Sequence, residues 1–372
     1  MISEPPHILL LEPYYGGSHQ EFLTGLQSNL AARCTLLSLP ARKWKMRMQL
    51  AAPWFAEQII GLWRKGIRFD RILSSTFLDV AVLRTLLTNQ GIQLPLAIYF
   101  HENQFSYPGQ MDDPGILQFA SINFTSALSA DSLAFNSSYN LESFLRGIAQ
   151  YLKKAVDMDM AHLLSSIRAK SLVLYPGMDF QEIDASLAPA PAEPQRSWKN
   201  QRPVIVWNHR WEHDKDPLTF FQGLFSLCDQ YDFQVIILGQ HFRRQPEIFS
   251  QAKEKLADRI LHFGFAESRA AYSALLGLGD IIVSTAKHEF FGLAILEGVR
   301  AGCRPLVPDR LSYRELFPRQ YRYGENAFSH QLAAVLATPA PLSSGQAQQL
   351  TEPYRWQTLA RKYQQWLCSD LI

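Results

Sequence analysis

Cysteine is scarce: four occur in 372 residues, at Cys34, Cys228, Cys303 and Cys368, with no C-x-x-C pair and no dense spacing. That excludes a disulfide framework and a zinc ribbon, and the thiols are expected to be reduced. Long apolar runs are missing too. No window reaches 18 uninterrupted apolar residues, and no basic segment precedes the short run Ile8-Leu9-Leu10-Leu11, so neither a membrane partner nor a secretory leader is expected. A cytoplasmic protein follows, in which the sequon matches at Asn123-Phe124-Thr125 and Asn136-Ser137-Ser138 are coincidental. Charge of one sign is also lacking, since 36 Lys+Arg stand against 34 Asp+Glu. No self-repelling tail is therefore present, and the 47% apolar content supports compact folding, in two domains by length.

What is present is a repeated alternation of short apolar runs with helical stretches, the pattern of parallel strands joined by crossover helices. Strands are expected at 7–11, 71–74, 96–100, 132–135 and 171–175, and again at 203–207, 234–238, 260–263, 281–284 and 304–307. Between the halves, 187–202 contains Ala-Pro-Ala-Pro-Ala-Glu-Pro, whose prolines disfavour helix and central strand and predict an extended linker. The expected organisation is α/β: a doubly wound Rossmann-like domain over 1–186, a second over 203–353, and a terminal segment, 354–372, packing back across the domains. Ligands of such sheets bind at the carboxyl ends of the strands, here in a common cleft.

The strongest local signal runs from Ile281 to Glu297. A buried strand enters the polar loop Lys287-His288-Glu289, followed by Phe290-Phe291-Gly292, whose glycine opens an apolar helix that carries Glu297, eight residues after Glu289. Their carboxylates are roughly 10 Å apart at the helical rise, about the reach of a diphospho-sugar. The amides of Phe291, Gly292 and Leu293 are expected to receive a pyrophosphate at the positive end of the helix. Glu289 would then accept from sugar hydroxyls and Glu297 from ribose hydroxyls.

A second loop, Asn208-His209-Arg210-Trp211-Glu212-His213-Asp214-Lys215-Asp216-Pro217, follows a strand and ends in an N-cap aspartate with proline at the first helical position. Arg210 and Lys215 are the candidates to neutralise a departing nucleoside diphosphate. His209 and His213 lack the H-E-x-x-H order and a nearby third ligand, so no metal site is expected. Backbone near Gly239 and Gly264 is the expected nucleobase pocket, open to guanine or uracil.

Arg210 with Lys215, and Glu289 with Glu297, resemble the basic pair and the E-x7-E element of retaining GT-B glycosyltransferases of family 4, over nearly the whole chain. Longer strings are similar to the tRNA-queuosine alpha-mannosyltransferase group: 14–19, 40–44, 100–104, 135–144, 209–217 and 284–292. The resemblance implies the GT-B fold, transfer of mannose from GDP-mannose to queuosine at the wobble position of tRNA-Asp, and no cofactor or obligatory metal. It also implies that His101 contacts the donor sugar. Asn208-His209-Arg210 departs from the Gly-Arg-Leu-like turn common in the broad family, which blurs donor identity.

In the first half, Gly16 and Gly17 precede a helix expected near Gln20 and permit close approach of backbone to a donor phosphate. His19 is expected to contact sugar or acceptor, or to cap the helix. Glu102, Asn103, Gln104, Asn136 and Asn140 lie in strand-to-helix loops and are candidate acceptor contacts. A tRNA partner calls for cations and aromatic faces, supplied by Arg42, Lys43, Trp44, Lys45 and Arg47, with Arg64, Lys65, Arg68 and Arg71 close behind. The competing expectations are a lipid or polysaccharide acceptor, a UDP-sugar epimerase of the same fold, and a non-catalytic RNA-binding protein. No motif fixes the oligomeric state or the queuosine hydroxyl modified.

Overall fold

A computed structural model describes residues 4–107, 114–187, 202–240, 246–338, 340 and 342–369. The chain forms two compact units, Met1–Met178 with Trp356–Ile372, and Asp179–Arg355. In the first unit, β1 (His7–Tyr15), β2 (Arg33–Pro40), β3 (Arg71–Ser75), β4 (Leu96–Phe100), β5 (Ser132–Phe135) and β6 (Ser171–Val173) make one parallel sheet, ordered β2-β1-β3-β4-β5-β6. Its helices are α1 (Gly17–Asn29), α2 (Trp44–Arg64), α3 (Val80–Thr88), α4 (Pro114–Ser129), α5 (Ser138–Leu152) and α6 (His162–Ala169). Residues of β1 alternate between two cores, Leu9 and Leu11 on one side and Ile8 and Leu10 on the other. A strand covered on both faces must be apolar throughout, which is why it reads as a continuous run.

The second unit opens with α7 (Gln181–Ser186). Its sheet comprises β7 (Val204–Asn208), β8 (Gln234–Leu238), β9 (Ile260–Gly264), β10 (Ile281–Val283), β11 (Arg304–Pro308) and β12 (Arg322–Tyr323), again parallel and ordered β12-β11-β10-β7-β8-β9. Around it lie α8 (Pro217–Leu227), α9 (Ile248–Lys255), α10 (Arg269–Gly277), α11 (Leu293–Arg300), α12 (Tyr313–Leu316), α13 (Phe328–Ala337) and α14 (Ser344–Thr351). Each sheet reverses its strand order once, between β1 and β3 in the first unit and between β7 and β10 in the second. Those are the crevices where ligands of doubly wound sheets bind.

Three boundaries differ from expectation. The second unit begins before the proline-rich linker: the buried Arg300 donates to both oxygens of Asp184 on α7, at 2.5 and 2.7 Å, and its guanidinium lies over Phe180. An ion pair between residues so distant in sequence leaves no trace in proline density; residues 188–201 of the linker lie outside the described residues. Two of the edge strands, β2 and β12, escaped the sequence pattern, β2 because Arg33, Thr35 and Ser38 interrupt its apolar residues and β12 because it has two residues.

The third boundary is that of the last helix, α15 (Trp356–Cys368), whose Trp356, Leu359, Tyr363 and Trp366 join the first unit's core with Ile8, Leu10, Phe22 and Tyr99. The indole of Trp356 occupies space that a Cβ on Gly25 would enter at 1.9 Å and one on Gly177 at 2.1 Å. Among the described residues, no helix is long and apolar enough to cross a membrane.

Candidate active site

The loops after β7 and β10 meet at the switch point of the second sheet. The amides of Lys287 and His288 donate to the Asp214 carbonyl, at 2.8 and 3.2 Å, and the Thr285 hydroxyl donates to the carbonyls of Lys215 and Asp216. Asp216, in the left-handed region at φ 50°, caps α8 through Thr219 as expected. These bonds bury Lys215. Its ammonium donates to the His288 carbonyl at 2.8 Å and pairs with Asp214 at 3.1 Å and Glu289 at 3.3 Å. Burial works against that charge, but the two carboxylates outweigh it and raise the lysine above its ordinary range. Burial likewise opposes ionisation of Glu289, yet Lys215 draws its carboxyl down to about 2. The pair is therefore ionised across the physiological range.

Several donor-site expectations are altered by this geometry. The amides of Phe290 and Phe291 are not left for a ligand, because both donate to Glu289 Oε1 at 3.1 and 3.4 Å. Phe290, Phe291 and His288 are buried, with the His288 and Phe290 rings edge to face. Gly292 takes φ +107° and opens α11 at Leu293. Arg210 is exposed and pairs with Glu212 at 3.2 Å, so the two cations differ: Lys215 is built in and Arg210 is at the surface.

Glu297 accepts from Arg269 at 2.6 Å and from the Tyr272 hydroxyl at 2.5 Å, and that hydroxyl in turn accepts from Asn208 Nδ2. Burial and Glu297 hold the Tyr272 phenol well above its usual range, so it remains a donor. Gly239 is required sterically: at φ +135°, a Cβ there would lie 1.8 Å from the His209 carbonyl oxygen. Gly264 shares the left-handed conformation, φ +139°, in open space, and its carbonyl accepts from Gly239.

His209 is buried against Trp207, and its Nε2 has no hydrogen-bond partner among the described residues. Burial and then the charge of Lys215 lower it to about 4, which makes it a neutral imidazole beside the ion pair.

At the switch point of the first sheet stands Glu12, which the sequence reading passed over as the polar end of an apolar strand. It is 1% exposed. Its Oε1 accepts from the Tyr14 amide at 2.8 Å and the Ser75 hydroxyl at 2.9 Å, and its Oε2 pairs with His19 Nδ1 at 3.1 Å. The other ring nitrogen of His19 faces Glu102 at 3.5 Å, and Glu102 is itself held by the Thr76 hydroxyl. Burial disfavours the imidazolium, but two flanking carboxylates raise His19 to about 10. The His101 ring lies tilted against it with centroids 4.1 Å apart, and burial with the His19 charge holds His101 well below its ordinary value. Glu12, His19 and His101 also present ligand atoms within 4.8 Å of one another. In this structure these residues are tied into an ion-pair relay, with His19 between the Glu12 and Glu102 carboxylates.

His19, expected at sugar, acceptor or helix cap, is thus buried between two carboxylates. Asn103, Gln104, Asn136 and Asn140, expected at the acceptor, are buried instead. Asn103 Nδ2 donates to Asn140 Oδ1 at 2.8 Å, Asn140 Nδ2 to the Phe100 carbonyl at 2.9 Å, Asn136 Nδ2 to the His101 carbonyl at 2.7 Å, and Asn123 Oδ1 receives the Gln104 amide. These amides fix the loop that carries His101 and Glu102. Gly16 packs on Ala41, which a Cβ would approach to 2.7 Å, whereas Gly17, at φ +52°, begins α1 three residues earlier than expected and has open space around it.

Arg42, Lys43 and Lys45 are exposed and Arg47 half-buried at the start of α2, while Trp44 packs on Phe77 and Phe119. Arg71 leaves the second basic cluster: it is buried and donates to the Trp366 carbonyl.

Residues 7–178 match the family described as tRNA-queuosine alpha-mannosyltransferase N-terminal, and residues 191–323 match Glycosyl transferases group 1. The tRNA-queuosine alpha-mannosyltransferase of Drosophila melanogaster is 35% identical over 330 residues, spanning 88% of this chain and 86% of the relative. This chain belongs to the tRNA-queuosine alpha-mannosyltransferase family. Its two parallel six-stranded sheets have the GT-B fold. Anabaena HepE in complex with UDP superposes at a TM-score of 0.68, with 15% identity and coverage of 96% of this chain and 98% of that one. Sucrose-phosphate synthase of Thermosynechococcus elongatus gives 0.67, 14%, 97% and 98%.

Proposed function

We propose that the protein transfers mannose from GDP-mannose to queuosine in tRNA, with retention at the anomeric carbon. The observation carrying this reading is the Lys215–Glu289 pair, an ionised cation and anion at the switch point of the second sheet, in a chain of this family. A diphosphate takes the cationic side, Lys215 with the exposed Arg210, and the sugar hydroxyls take Glu289. The unsatisfied Nε2 of His209 gains a partner from the same ligand, since a buried polar atom left unpaired costs about 1–3 kcal/mol. Glu297, paired with Arg269, has lone pairs left for the ribose diol.

In the first unit, the neutral His101 imidazole can donate one hydrogen bond and accept one, which suits a sugar hydroxyl. The open backbone at Gly17 suits a phosphate oxygen. Arg42, Lys43, Lys45 and Arg47 meet tRNA phosphates.

In the reaction the bond from the anomeric carbon to phosphate oxygen breaks, and a new bond to a queuosine hydroxyl forms on the same face. The hydroxyl proton passes to the departing diphosphate. Electrostatic stabilisation of that leaving group is the service Lys215 supplies, and loss of one such donor typically lowers turnover by about 10²–10³. The test is incubation with labelled GDP-mannose and tRNA with or without queuosine. Label should enter only queuosine-containing tRNA, and Glu289→Ala should abolish transfer while leaving tRNA binding intact. Label in another acceptor, or undiminished transfer by Glu289→Ala, would overturn the reading.

A further inference from the structure

The outer face of α2 reverses the usual amphipathic order. At 3.6 residues per turn, Met46, Leu50, Pro53 and Trp54 fall on one line of the helix. The buried residues Met48, Ala51, Ala52, Phe55 and Ile59 fall on the opposite line. Met46, Leu50 and Trp54 expose 48%, 57% and 38% of their surface. Single exposed apolar residues are ordinary. Three at successive i, i+4 positions make a continuous strip about 12 Å long.

Both ends of the strip are cationic. Arg42, Lys43 and Lys45 precede it, and Arg64, Lys65 and Arg68 follow, all exposed. Arg64 stands eighteen residues beyond Met46, five turns and roughly 27 Å, which returns it to the same line. Glu57, the single carboxylate of α2, is exposed on the same line between Trp54 and Arg64, and no acidic residue stands in the first turn. Apolar contact between two clusters of one sign is the composition that single-stranded and loop RNA requires: unstacked bases lie on aromatic and aliphatic side chains while phosphates take the cations. A second copy of this surface would bring like charges together at both ends.

We propose that the outer face of α2 is a docking surface for the tRNA substrate, with Trp54 as a stacking platform for an unpaired base. Leu50 and Met46 extend that platform, and the two cation clusters hold the phosphates on either side. The proposal rests on the tRNA reading above, and it adds residues that no donor chemistry requires.

The experiment measures tRNA affinity of the full chain by filter binding across salt concentrations, alongside mannose transfer at saturating tRNA. Trp54→Ala should weaken affinity about five- to hundredfold, the range for losing one base–aromatic stack, with the slope of log affinity against log salt unchanged. Trp54→Phe should restore most of it. Arg64→Ala with Lys65→Ala should instead flatten the salt slope by about two contacts. In each variant, transfer at saturating tRNA should stay near wild type.

Wild-type affinity in Trp54→Ala, in a protein that still mannosylates tRNA, would overturn the docking surface and leave the function standing. So would a change in sedimentation of the free protein in place of a change in tRNA binding, since it would make the strip a self-association face. No transfer to any tRNA by the wild type would instead overturn the function.

Discussion

Replacing Glu12 by Gln should separate charge from shape in the relay of the first unit. The glutamine carbonyl can still accept from the Tyr14 amide and the Ser75 hydroxyl, and its amide nitrogen can donate to His19 Nδ1 once that nitrogen has lost its proton. The hydrogen bonds survive while one of two carboxylates is lost. In the wild type His19 is raised from 6.5 to about 10. A group whose folded pKa is raised stabilises the fold fully below its unfolded value and ceases to do so as pH climbs through the folded one. The window is therefore pH 6.5 to 10, and at about 1.4 kcal/mol per unit the full contribution is about 5 kcal/mol.

Loss of one carboxylate should remove roughly half of it, on the order of 2–3 kcal/mol, a size in keeping with the cost of breaking a buried ion pair. Urea midpoints of both proteins at intervals from pH 6 to 10 give the comparison, because other titrating groups are common to the two and cancel. The wild-type midpoint should fall more steeply across the window, and the curves should converge near pH 10. Parallel curves would show that His19 carries no such charge and would refute the relay. Because His19 loses its charge at lower pH in the variant, His101 above that pH should also titrate closer to its ordinary value, visible as a shift in the pH profile of transfer.

Lys215→Met should lower kcat/KM by about 10²–10³. It should also let the Glu289 carboxyl rise from about 2, so the stability that the ionised carboxylate supplies above pH 4.5 disappears in the variant; unchanged turnover would refute its role. Gly239→Ala places a Cβ 1.8 Å from the His209 carbonyl in a conformation at φ +135° and should cost at least about 2 kcal/mol in a thermal melt; a wild-type melt would remove the steric argument. Trp356→Ala should cost about 3–5 kcal/mol and expose the first unit to limited proteolysis; unaltered cleavage would mean that α15 does not secure that unit.

The parallel strands were legible because burial on both faces writes them as apolar runs, and Glu289 with Glu297 was legible because loop and helix fix their spacing locally. β2, interrupted by Thr35 and Ser38, and β12, two residues long, carry no such signature. Asn103 and Asn140 show a deeper limit: an amide that builds a loop and one that binds a sugar use the same groups, and only burial distinguishes them. Glu12 and His19 are seven residues apart, but Glu102 reaches them only through the sheet order that brings β1 and β4 to opposite sides of β3. Arg269 and Tyr272 were missed for a like reason, because their partner Glu297 lies on another helix.

The slot that Gly25 and Gly177 leave for the Trp356 indole also imposes an order of events on synthesis. The first unit cannot fill that slot when its own sheet has been made, because α15 follows the whole of the second unit in the chain. At about 5–20 residues per second, that interval is on the order of ten to thirty seconds. During it, Phe22 lacks the Trp356 ring and Tyr99 the Trp366 ring that they meet in the finished protein. The nascent first unit should therefore be a client for chaperones until its last helix arrives, and the second unit is the one able to complete its core first.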